Sequence, residues 1–313
     1  MKKSKSLLAV TLILMLILSA CVSGAAAEEG KIKIGVSFYA LSGEYNTNLK
    51  NAMEAYYAAN NLSDKVELSI LDASSDANAQ NSQMENLIAS DVDAIILIAG
   101  DADAQAVVVE QAAGEGIPVI ELCTMTSADE YRATFVGSDD IVAGRMLMEY
   151  LGNLVDGKGK MIILHGPTGI SAEVNRHTGA AQIVEEKGWD IEIVAEKVCN
   201  WSRDEAMSAM ENIITSGLDF DIVFAENDEM AVGALYALEN TDLEYVIGGI
   251  DAIPDAVQAV AEGKMNCTFF QDAVTQAETA LQVAIEAAEG KEIEKSYDID
   301  FVLVTSENAA DFM

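Results

Sequence analysis

The sequence predicts an α/β protein built as two doubly wound parallel-sheet lobes. Three observations carry that expectation. From residue 31 onward, apolar β-branched runs alternate with helical stretches of roughly ten to fifteen residues, the pattern of βαβ units with right-handed crossovers. The alternation falls into two series. At 313 residues the chain is long enough to give each series a core of its own.

In the first series, strand-like runs at 32–38, 66–71, 94–98 and 118–122 enclose helical stretches near 47–59, 77–89 and 102–115. Gly116-Ile117-Pro118 supplies a turn before the fourth strand. In the second, runs at 161–164, 191–197, 221–225, 245–250 and 267–270 alternate with helices near 141–154, 172–187, 203–216, 229–239 and 253–262. A helix at 272–289 and a terminal strand at 298–304 are extra pieces that fit either lobe. The chain has no repeat of solenoid period, no low-complexity linker and only three prolines.

The N-terminus reads as an export segment. Lys2, Lys3 and Lys5 precede an uncharged apolar run at 7–18, too short for a comfortable membrane span. The run ends in Leu18-Ser19-Ala20-Cys21, which resembles the lipobox of bacterial lipoproteins. That resemblance implies a signal peptide at 1–20, lipid on Cys21 and a short tether over 21–30. An ordinary signal cleaved after Ala25-Ala26-Ala27 is the alternative. Losing three lysines and no acid makes the formal charge of -34 more negative still, which argues against nucleic acid and anionic membrane faces as partners. With Cys21 lipidated, Cys123, Cys199 and Cys267 remain; an odd, widely spaced set is neither a disulfide framework nor a zinc site, and allows one bridge at most.

Catalytic constellations are hard to assemble. There are two histidines, His165 and His177, and neither lies near a G-x-S-x-G elbow. Gly157-Lys158-Gly159-Lys160 does not match a phosphate-binding P-loop, and no G-x-G-x-x-G follows the first strand. Asp101-Ala102-Asp103 lacks the glycine and distal glutamate of a calcium loop and reads as a helix start. The expectation is a non-enzyme without cofactor or metal.

The most informative stretch is VFAENDEMAVGAL at 223–235, where a buried strand runs into a helix. Asn227 stands at the junction, a good N-cap and also a strand end of the kind where open α/β sheets place ligands. An amide both donates and accepts, which suits a neutral polyol better than an ion.

Together with this stretch, GIPVI at 116–120, GSDD at 137–140, GISAEVNRHTGA at 169–180, GGIDAIPDAV at 248–257 and CTFFQD at 267–272 fall in register over almost the whole chain. In that order they resemble the type I periplasmic binding proteins of the ribose-binding kind. The resemblance implies two lobes joined by three hinge crossings, near 137–139, 270–272 and 301–303. Lobe one then covers 31–138 plus 271–301, and lobe two 139–270 plus 302–313. It also implies a small carbohydrate held between the lobes, an ABC permease as membrane partner, a monomer, and an extracytoplasmic location.

The same resemblance puts ligand contacts on Arg176, Trp201, Asn227, Asp251 and Gln271. A guanidinium spans adjacent hydroxyls, an indole stacks on a sugar's C–H face, and a carboxylate accepts from two hydroxyls at once. Lobe one departs from the pattern. Cys123-Thr124 stands where ribose binders carry an Asp-Arg pair, and the loop from Tyr39 to Asn46 is longer; Tyr45 stands for one of two aromatics and Asn46 replaces the other. Glu121, on the strand face of Cys123, is a candidate substitute carboxylate. The departure leaves D-ribose an unsafe expectation and keeps a nucleoside, a cyclitol or a furanosyl signal open. A sensory subunit serving a chemoreceptor or histidine kinase would look the same.

Overall fold

The computed structural model describes residues 30–313; the expected export segment at 1–20 and Cys21 lie outside the described residues. In chain order the first series is β1 (Ile32–Phe38), α1 (Glu44–Ala59), β2 (Val66–Asp72), α2 (Ala77–Ala89), β3 (Ala94–Ile98), α3 (Ala106–Gly114), β4 (Val119–Leu122) and β5 (Thr134–Gly137). The second begins with α4 (Asp140–Leu154), β6 (Lys158–His165), α5 (Ser171–Lys187), β7 (Asp190–Val198) and α6 (Arg203–Ser216). It continues through β8 (Ile222–Ala225), α7 (Asp228–Leu238), β9 (Val246–Gly248), α8 (Pro254–Ala261) and β10 (Thr268–Phe270). The chain closes with α9 (Ala273–Ala288), β11 (Ser296–Asp298) and β12 (Val302–Val304).

Two parallel sheets result, with strand orders β11-β5-β4-β3-β1-β2 and β7-β6-β8-β9. Each reverses its winding direction beside its first strand, β1 or β6, so each carries a topological switch point at its carboxyl edge. In the first sheet, α1 and α9 cover one face through Leu49, Met53, Ala277 and Leu281 against Val36, Phe38 and Ile120. On the other face, Met84 and Leu87 of α2 and Val108 and Val109 of α3 pack on Ile95 and Leu97. The second sheet sits between α4–α5, with Leu147, Met148, Leu151 and Ile183, and α6–α8, with Met210, Ile213, Met230 and Val257. Each such fully buried side chain contributes roughly 1.5–3 kcal/mol.

Local chemistry sets the helix ends. Asp76, Asp139, Ser202, Asn227 and Asp272 each accept from a backbone N–H of the first turn, and Gly188 and Gly217 end their helices in the left-handed conformation. Two expectations are corrected, and one strand was not anticipated. The terminal strand is two strands. Asp298 is the last residue in register with Gly137 of the first sheet, whereas β12 pairs antiparallel with β10. The backbone between them passes from one sheet to the other, as it also does after β5 and after β10. Helix α3 starts at Ala106, because the Asp101 carboxylate takes the N–H groups of Asp103 (3.0 Å) and Ala104 (2.8 Å) and forms a turn first. Strand β5, four buried residues, was too short to show a period.

Helices α4 and α5 touch backbone to backbone. A Cβ at Gly144 would lie 2.0 Å from the Arg176 carbonyl oxygen, and one at Gly179 would lie 2.1 Å from that of Ile141. This contact fixes where α5 delivers Arg176. The remaining cysteines, Cys123, Cys199 and Cys267, are buried free thiols. Among the described residues no helix is long and apolar enough to cross a membrane.

Candidate functional site

A cavity of about 700 Å³ lies between the carboxyl edges of the two sheets. All nine residues expected at the site, Tyr45, Asn46, Cys123, Thr124, Arg176, Trp201, Asn227, Asp251 and Gln271, line it. They arrive on the segments that follow β1, β4, β6, β7, β8, β9 and β10, so the carboxyl edges of the two parallel sheets, together with the end of β10, supply the walls.

Arg176 forms the floor of the lobe-two side. It is almost fully buried and donates from Nε to Asp140 Oδ1 (2.8 Å), from Nη1 to the Glu226 carbonyl oxygen (2.5 Å) and from Nη2 to Gln271 Oε1 (3.2 Å). Its Cζ lies 5.6 Å from the centre of the Trp201 ring, so the indole stands beside the guanidinium. Trp201 is seated against Gly166, where a Cβ would lie 2.1 Å from the ring. Asn227 is both cap and wall: its Oδ1 accepts from Met230 N (3.0 Å), which leaves its amide N–H groups for the cavity. Gln271 is arranged likewise, with Oε1 on Arg176 and its NH₂ free of protein partners among the described residues. The Asp251 carboxylate has no protein hydrogen-bond donor among the described residues, although Arg176 attracts it.

Lobe one supplies a different surface. The Tyr45 hydroxyl donates to Gln276 Oε1 (2.8 Å) and lies 3.6 Å from Cys123 Sγ, and the thiol reaches the same oxygen at 2.7 Å. Gln276 in turn donates to Ser138 Oγ (2.9 Å) where the chain leaves the first sheet. Tyr45 and Cys123 therefore present ring and sulfur rather than free donors. Thr124 Oγ1 donates to the Ala99 carbonyl oxygen (3.0 Å), and Asn46 Nδ2 to that of Ala40 (2.8 Å), which pins the long loop. Glu121 does not substitute for the lost carboxylate. It is buried away from the cavity, accepting from Thr126 (2.5 Å) and pairing with Arg132 (3.4 Å).

Burial dominates the electrostatics. It pushes the Asp251 carboxyl well above the ordinary aspartate range, with Arg176 opposing, and it raises Asp140 despite the same cation. Burial also drives the Cys123 thiol far up, which makes it a poor nucleophile. Five lining residues hold positive backbone φ angles: Ser75 (65°), Cys123 (63°), Asn200 (51°), Trp201 (58°) and Asp251 (128°). Such strain collects where side chains are held for a ligand. The lobes themselves meet: Ala102 N donates to the Gly169 carbonyl oxygen (2.9 Å) and Met125 N to Ser171 Oγ (2.8 Å).

Sequence reasoning missed Asp140, whose only signal was a doubled acid before a helix, and the acidic mouth. There Arg203 pairs with Glu229 (2.7 Å) and Asp255 (2.6 Å), while burial and those acids raise Glu44 on the facing lobe.

Two sheets closing on one polar cavity define a two-lobed solute-binding protein. The periplasmic binding protein domain family matches residues 34–292, and the chain belongs to that family. A xylitol-binding protein of Mycolicibacterium smegmatis is 35% identical, over 93% of this chain and 82% of its own length. A Bacillus halodurans ABC transporter solute-binding protein, solved with bound myo-inositol, is 37% identical with a TM-score of 0.85, over 91% of this chain and 98% of that one. An ABC transporter solute-binding protein of Actinobacillus succinogenes, solved with bound D-allose, is 30% identical with a TM-score of 0.80, over 90% of this chain and all of that one. The chain is thus an extracytoplasmic solute-binding protein of an ABC importer, with a membrane permease as partner.

Proposed function

We propose that the cavity takes a neutral polyol of roughly sugar size, a cyclitol or alditol in preference to D-ribose, and presents it to the permease in the closed form. One observation carries this reading: Arg176 is the cation of the cavity floor, and it is already matched by Asp140 and attracted by Asp251. Among the described residues an anionic ligand would find no unpaired positive charge there, whereas hydroxyls match the open groups. They donate to Asp251 and accept from Asn227, Gln271 and the remaining N–H groups of Arg176. Trp201 and Tyr45 cover the C–H faces, and the Cys123-Thr124 wall replaces a charged pair with small, uncharged groups. The likeness to proteins named for xylitol and myo-inositol supports the choice within the polyols.

The ligand touches both lobes, binds the closed form better and shifts the hinge equilibrium toward it. Lobe boundaries at 31–138 plus 271–301 and 139–270 plus 302–313 go with this reading, as do a monomer, lipid on Cys21 as the anchor, and no catalysis. Both histidines lie outside the cavity lining, which supports the last point. The sensory alternative gains nothing from the import proteins compared above. Calorimetry with myo-inositol, xylitol, D-allose, D-ribose and a sugar acid is the test. Tightest binding of a cyclitol or alditol is expected; tightest binding of the acid, or no binding to any, would sink the proposal.

A further inference from the structure

Glu226 faces two ways. Its backbone carbonyl accepts from Arg176, while its carboxylate, held by Gly166 N (2.8 Å), accepts from His165 Nδ1 (3.0 Å). Glu173 lies 3.3 Å from the same nitrogen. With Nδ1–H fixed by carboxylates, His165 turns Nε2 toward Glu196, whose Oε1 is 3.2 Å away. His177, nearly two turns into α5, brings Nδ1 to 4.0 Å from that oxygen, and the two imidazole rings stand 5.2 Å apart. His177 Nδ1 is itself buried and, among the described residues, has no hydrogen-bond partner.

We propose that His165 Nε2, His177 Nδ1 and the Glu196 carboxylate form a site for a divalent cation of the zinc class, contrary to the sequence expectation of no metal. One ligand atom from each residue lies within 4.8 Å of the others. Metal–ligand bonds of about 2.0–2.1 Å in a tetrahedron need ligand atoms roughly 3.4 Å apart, between the two separations seen at Glu196. Two imidazoles and a carboxylate select zinc, copper or nickel over calcium or magnesium, which need oxygen ligands. The Glu226–His165 pair is the carboxylate–histidine arrangement that orients an imidazole for a metal. Glu196 and His177 are part exposed, at 49% and 36% of their side-chain surface, so a cation enters from solvent and keeps a water as fourth ligand. The unmatched His177 nitrogen gains its partner, and the carboxyl ends of β6 and β7 become cross-linked to the middle of α5.

The test is calorimetric titration of zinc chloride into the full mature protein after chelator treatment, with cobalt substitution read by its tetrahedral ligand-field absorption. One equivalent is expected, with a rise in melting temperature. His177→Ala and Glu196→Gln should each weaken binding at least tenfold while polyol affinity stays unchanged, and His177→Gln replaces the alanine variant if that one fails to fold. Absence of a stoichiometric site in the wild type overturns the proposal. So does unchanged zinc affinity in either variant, or equal binding of magnesium.

Discussion

Removing the carboxylate behind Arg176 gives the sharpest test of how the site is held. Asp140 and Arg176 are 3% and 4% exposed and joined at 2.8 Å. Taking one partner from a buried ion pair costs roughly 3–5 kcal/mol, because the other charge is left uncompensated. In Asp140→Ala the guanidinium keeps the Glu226 carbonyl and Gln271 Oε1, and Asp251 still attracts it, so the cost should fall near the lower end, about 3 kcal/mol. For a chain of this size each kcal/mol lowers melting by roughly 2–4 °C, giving a drop of about 6–12 °C. Arg176 would also lose its Nε anchor and swing from its place beside Trp201, so polyol affinity should fall at least tenfold, about 1.4 kcal/mol. Asp140→Asn keeps an acceptor of the same shape for Nε but not the charge, so affinity should fall less than in Asp140→Ala while most of the stability loss remains. Differential scanning calorimetry and isothermal titration read the two effects separately. Melting within about 2 °C of wild type together with unchanged affinity in Asp140→Ala would refute the idea that this carboxylate positions Arg176.

The other expectations can be taken together. Polyol affinity should weaken on acidification while the pH is still above the usual aspartate range, because burial has raised Asp251 and the accepting carboxylate is lost as pH falls through that raised value. The same raised value costs the unliganded fold stability as pH rises, so bound hydroxyl donors offset more at neutral pH than in acid. In Asp251→Asn the pH slope of binding should vanish; a persisting slope would assign it elsewhere. Of the two tryptophans, Trp201 lines the cavity and Trp189 does not, so ligand-induced fluorescence change should survive Trp189→Phe and disappear in Trp201→Phe. Gly144→Ala should push α4 off α5 and destabilise the fold by roughly 1–3 kcal/mol in chemical denaturation, since the obstacle is backbone and cannot rotate away. A neutral result there would mean that the two helices part without cost.

Much of this was legible before any coordinates. The β1, β3, α2 and α6 bounds follow from hydrophobic period and capping residues alone, as does Asn227 at the strand–helix junction. The nine lining residues were legible for another reason: ordered motifs fall at strand ends, and strand ends in doubly wound sheets converge on one edge. What escaped was short or non-local. Strand β5 has four residues, and β11 and β12 have three each, below the length at which a period shows. Glu121 looked like a ligand from strand alternation, but only packing reveals that Thr126 and Arg132 claim it.

The sequence by itself determined the α/β class, the two series of βαβ units, the acidic surface and the residue types at the strand ends, because these depend on contacts between near neighbours along the chain. Only the tertiary structure decided which of those side chains remain open to a ligand. Asn227 keeps its N–H groups because Met230 takes its oxygen, Tyr45 loses its hydroxyl to Gln276 from 231 positions away, and Asp251 has no donor among the described residues. Hydrogen-bond partners drawn from distant parts of the chain are set by the packing of helices on sheets, and no local pattern records them.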